Sequence, residues 1–84
     1  MANNRIFVSN FPFNTSEREL EEIFSQHGTV SRIHLCKDKT TGAPRGFGFV
    51  TMAHQQDAET AIDRLNGVIV GGRPIGVQEA REPE

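Results

Sequence analysis

Arg45-Gly46-Phe47-Gly48-Phe49-Val50-Thr51-Met52 is the stretch on which the fold turns. A phenylalanine stands on either side of Gly48, and Val50 follows directly. A strand alternates its side chains, so Phe47, Phe49 and Thr51 share one face while Gly48, Val50 and Met52 share the other. The second set reads as core. The first carries two large aromatics away from the aliphatic side, beside the cation of Arg45. Exposed rings of that size mark a surface that meets something.

Outward from this stretch lie three further strand patterns. Arg5 to Ser9 alternates, with Ile6 and Val8 on one side and Arg5, Phe7 and Ser9 on the other, until Asn10-Phe11-Pro12 breaks it. Val30 to Lys37 points Ile33 and Leu35 one way and Arg32, His34 and Cys36 the other. Val68 to Val70, the Gly71-Gly72 turn and Arg73 to Glu79 form a short strand, a tight reversal and a last strand with Ile75 and Val77 inward. Asp38 to Pro44 is a polar connection containing Thr41-Gly42. Lys37, Lys39 and Arg45 stand near its ends, placed to close over a polyanion.

Two segments have helical spacing. Ser16 followed by Glu19 fits a capping box, in which the serine oxygen accepts a first-turn N–H and the glutamate reaches back. Leu20, Ile23, Phe24 and His27 then fall along one stripe, stopped by Gly28. Gln55 to Leu65 presents Ala58, Ala61, Ile62 and Leu65 on one side and ends at Asn66-Gly67. The order is strand, helix, strand, strand, helix, strand. With right-handed crossovers this folds as an α+β, ferredoxin-like βαββαβ sandwich, a four-stranded antiparallel sheet in the order 4-1-3-2 with both helices on one face. Strands one and three are then the central pair. The helices claim Ile6, Val8, Ile33, Leu35, Val50, Ile75 and Val77, so Phe7, Phe47 and Phe49 meet on the uncovered face. Phenylalanines on strands are ordinarily core, but a one-sided sheet leaves these without a second layer.

A chain of 84 residues is expected to form one domain, 1–84, with its core from Arg5 to Ala80 and a frayed acidic end. At 36% hydrophobic and 24% charged residues, it is too apolar for a disordered tail and too broken by charge for a membrane span. Its first residues lack the apolar run of a secretory signal. Cys36 is the single cysteine, a spectator thiol that suits a reducing, intracellular compartment. A formal net charge of -2 argues against strong indiscriminate binding to nucleic acid. The charges are nevertheless segregated. Glu17, Glu19, Glu21 and Glu22 oppose only Arg18 on the first helix, and Asp57, Glu59 and Asp63 oppose only Arg64 on the second. Arg32, Lys37, Lys39 and Arg45 oppose only Asp38 around the strands.

The residues exclude most chemistry. His34 has no second His, Cys or carboxylate at metal spacing, so no metal site is expected. Gly46-Phe47-Gly48 lies inside a strand rather than ahead of a helix, and no nucleophile stands beside a base, so neither catalysis nor a cofactor is expected.

The octamer Arg45 to Met52 resembles the ribonucleoprotein octamer of the RNA recognition motif family, [KR]-G-[FY]-[GA]-F-V-x-[FY], at every position but the last. Ile6-Phe7-Val8-Ser9-Asn10-Phe11 is similar to the family's hexamer, at the proper distance upstream. The resemblance covers Arg5 to Ala80. Gly46 to Met52 and Val77-Gln78-Glu79-Ala80-Arg81 also look similar to small single-domain members from bacteria and chloroplasts. Met52 and Phe11 depart from the usual aromatic and leucine, but both positions belong to the core side in this family. The resemblance implies stacking of bases on Phe7 and Phe49, contact of Phe47 with the sugars between them, and Arg45 on the phosphate. Arg32, His34 and Gln78, with the backbone after it, are candidates for reading base edges.

The implied partner is single-stranded RNA, or single-stranded DNA in its place, bound by a monomer without a membrane; duplex RNA fits poorly because its bases are already stacked. The competing reading is a protein-interaction module that docks a peptide on the same fold. The aromatic triad argues against it, because family members that turn to protein partners have often lost those rings.

Overall fold

The computed structural model describes residues 4–12, 14–37, 39–42 and 44–80, with backbone only for Pro44 and Arg45. In chain order the elements are β1 (Arg5–Ser9), α1 (Glu17–Ser25), β2 (Val30–Lys37), β3 (Pro44–Met52), α2 (Gln55–Leu65), β4 (Ile69–Val70), β5 (Arg73–Pro74) and β6 (Gly76–Glu79). The main sheet is antiparallel and runs β2-β3-β1-β6. This is the expected 4-1-3-2 order with β6 as the fourth sheet strand.

Local chemistry accounts for the helix ends. Glu19 N–H donates to Ser16 Oγ at 3.1 Å and Ser16 N–H donates to Glu19 Oε1 at 2.8 Å, so both halves of the capping box are present. The helix stops at Ser25, two residues short of the full stripe, and His27 is only half-buried. Asn66 closes α2, and its side-chain oxygen accepts the Val77 N–H at 3.0 Å, tying the helix end to β6.

One side of the sheet holds the core. Ile6, Val8, Val50, Met52 and Val77 are buried against Leu20 and Phe24 of α1 and Ala58, Ala61 and Leu65 of α2. Phe11 and Phe24 are its largest side chains, and burial of each contributes about 1.5–3 kcal/mol. Phe11 and Met52, where the octamer and hexamer depart from the usual pattern, are each 1% exposed and fill this core.

Two features differ from a simple alternating reading. Arg73 to Glu79 is not one strand: the Ile75 N–H donates to the Val68 carbonyl and its own carbonyl accepts the Gly67 N–H, so that residue still belongs to the β4–β5 hairpin. Only Gly76 onward pairs with β1. On β2, the pairs Val30↔Met52 and Arg32↔Thr51 leave Ser31 as an extra residue. That bulge lets Val30 pack against the core while Arg32 and His34 stay exposed.

Candidate nucleic-acid interface

The face opposite the helices is built from two neighbouring rows across the strands. Antiparallel partners lie on the same face, so register decides which side chains meet. The pairs Phe7↔Gln78, Phe7↔Phe49 and His34↔Phe49 make a continuous row Gln78, Phe7, Phe49, His34 over all four strands. Beside it runs the row Arg5, Thr51, Arg32. Ser9 pairs with Phe47 on the other flank.

The three rings form one cluster. Phe7 lies 5.5 Å from Phe49 and 5.9 Å from Phe47, centroid to centroid, with tilts of 55° and 44°. Such tilted pairs set the positive edge of one ring toward the negative face of the next. Each ring is half-buried. They are therefore held rather than waving in solvent, yet no layer covers them among the described residues. Arg32, His34 and Gln78 are exposed around the cluster. The side chain of Arg45 lies outside the described residues; its backbone belongs to β3. Of the connection that carries Lys39, Asp38 and Ala43 also lie outside them.

Glycine shapes this face from behind. Between the pairs Leu35↔Gly48 and Lys37↔Pro44, a single β2 residue stands opposite Arg45, Gly46 and Phe47, and Gly46 takes φ 83° at the irregularity. A Cβ on Gly48 would stand 2.5 Å from the His34 carbonyl oxygen. The room left by this glycine is thus taken by the backbone of β2.

Arg5 is the residue that sequence reasoning passed over. Parity put it outward beside Phe7, but its contact depends on pairing with Thr51 two positions beyond Phe49. Its guanidinium sits 4.1 Å from the centroid of the Phe49 ring, a cation–π contact. Arg5, Arg32, His34, Phe49 and Thr51 together line a shallow depression of about 420 Å³. Among the described residues no group of three or more His, Cys, Asp or Glu side chains could hold a metal ion.

Comparison with known proteins settles the lineage. The family model described as the RNA recognition motif matches residues 6–76. The chain belongs to the RNA recognition motif family. As an RNA recognition motif it joins a family of binding proteins rather than enzymes. It is 39% identical over 82 residues to the chloroplastic RNA-binding protein CP29B of Arabidopsis thaliana, covering 98% of this chain and 28% of that protein. The chain thus spans less than a third of that relative's length. A solved structure of the RNA-binding protein PG1 superimposes with a TM-score of 0.89 at 37% identity, covering 95% of this chain and 98% of that one. The Sxl-lethal protein in complex with RNA gives 0.86 at 34% identity, covering 92% of this chain and 47% of that one. No described helix is long and apolar enough to cross a membrane.

Proposed function

We propose that this RNA recognition motif binds single-stranded RNA on the open face of its sheet. The observation that carries the reading is the cluster of Phe7, Phe47 and Phe49, whose rings lie within 5.9 Å of Phe7 on the side that no helix covers. Phe7 and Phe49 each support one base, Phe47 stands against the sugars between them, and Arg45 neutralises the adjoining phosphate. Arg32, His34 and Gln78 surround the platform and meet base edges. RNA binding in the chloroplast relative and in the complexed structural neighbour supports the same use of the fold here. A reducing intracellular compartment suits the free Cys36.

Arg5 does not block the platform. A cation over an exposed ring is worth about 0.5–1 kcal/mol. Stacking of a base on the same ring contributes about 1–3 kcal/mol. On that ring the base outcompetes the guanidinium.

The test is a chemical-shift titration with a short single-stranded RNA. Perturbations should concentrate in β1 and β3, at Phe7, Phe47 and Phe49. Shifts centred instead on Glu17 to Glu22 would move the working surface to the helical back and favour a protein or other partner on that side. The acids there make that outcome unfavourable for RNA, since α1 carries four glutamates and its Arg18 lies 3.7 Å from Glu22.

A further inference from the structure

We propose that the depression beside Phe49 is a subsite for a keto base, guanine first, whose O6 and N7 accept hydrogen bonds from Arg5 and Arg32. The inference rests on the open face being the RNA-binding surface.

Register supplies the geometry. The row Arg5, Thr51, Arg32 crosses three strands directly beside the row that contains Phe49. A base seated on Phe49 turns one edge toward that row, where a guanidinium stands on each side of Thr51. Arg5 is already over the ring at 4.1 Å, so a base that takes its place leaves the guanidinium within reach of the base edge. The depression of about 420 Å³ lined by these residues admits a purine.

Donor chemistry supplies the preference. A guanidinium donates hydrogen bonds and accepts none. Guanine presents O6 and N7 as adjacent acceptors matched to that fork, and uracil presents O4 alone. Adenine and cytosine turn an amino group toward the same edge, donor against donor. Among the described residues, the outward positions Arg5, Ser9, Arg32, His34, Thr51 and Gln78 include no carboxylate to accept from such an amino group. Thr51 and His34 can each turn a lone pair, but they stand among two fixed donors.

The experiment compares heptamers CCCXCCC by fluorescence anisotropy at one salt concentration, with X as guanine, inosine, 2-aminopurine, uracil or adenine. Inosine keeps O6 and N7 and should match guanine within about twofold. Adenine and 2-aminopurine lack O6 and should bind about tenfold more weakly, with uracil between. Arg32→Gln, at an exposed position, should shift the preference toward adenine, because an amide both donates and accepts. Equal binding of the guanine and adenine heptamers overturns the subsite while leaving the platform standing. Tight binding of 2-aminopurine with weak binding of inosine overturns it too, by placing recognition on the N2 edge. Failure of every heptamer to bind removes the platform and the subsite together.

Discussion

Replacing Phe49 by leucine separates the stacking surface from the apolar bulk. The leucine still covers its neighbours but offers no aromatic face. In the folded protein it forfeits the ring pair with Phe7 at 5.5 Å and the contact with Arg5 at 4.1 Å. Those losses amount to about 0.5–1.5 and about 0.5–1 kcal/mol. A small domain with a stability of about 5–15 kcal/mol remains folded after such a change. Binding loses the stacked base, about 1–3 kcal/mol, but no longer has to remove Arg5 from the ring. Taken at the middle of each range, the net expectation is about 1.2 kcal/mol, a rise in Kd of about eightfold. Anisotropy titration of a labelled single-stranded heptamer, with a thermal melt of the same sample, measures both quantities. A Kd within twofold of the parent protein, in a variant that melts normally, would refute the stacking role of Phe49.

Three further outcomes are expected. Arg45→Ala should weaken RNA binding and lower the slope of log Kd against log salt by about 0.7–0.9, one phosphate contact; an unaltered slope would remove its phosphate role. Gly48→Ala should cost about 1–3 kcal/mol in urea denaturation, because the new methyl meets the His34 carbonyl oxygen and neither strand can retreat without breaking the ladder; an unchanged midpoint would contradict that crowding. Ser16→Ala removes the cap of α1 and should cost about 1 kcal/mol of stability with RNA affinity unchanged, a pairing that differential scanning calorimetry and anisotropy can check together.

The parts of this fold legible in the sequence are those set by near neighbours. Period-two alternation placed Phe47, Phe49 and Thr51 opposite Val50 and Met52, and burial divides them the same way. The Ser16–Glu19 box and the helix from Gln55 to Leu65 were equally local signals. What escaped depends on the partner strand. The cation over Phe49 follows from register between β1 and β3, and the crowding at Gly48 from the backbone of β2, neither of which the segment itself encodes. Asn10 is similar: it takes φ 65°, its amide donates to the Pro74 carbonyl at 2.7 Å, and its side-chain oxygen accepts from Arg73 at 2.9 Å. Those residues are more than sixty positions away, so only the folded chain brings the hairpin to the end of β1. The division of the last strand at Ile75 has the same origin, since its backbone bonds to Gly67 and Val68 while the residues from Gly76 onward pair with β1.

The bulge at Ser31 bears on solubility. The strand that carries it, β2, is an edge of the sheet, and an edge presents unpaired amide and carbonyl groups on which a second copy of the chain can add its own strand. An extra residue twists that edge and breaks the even spacing such an addition needs, while exposed Arg32 and Lys37 set like charges against an approaching copy. The opposite edge, β6, is only four residues long. A sheet that keeps one broad face open must guard its margins by other means, and here a single serine, two cations and a short strand work against the addition of a further strand.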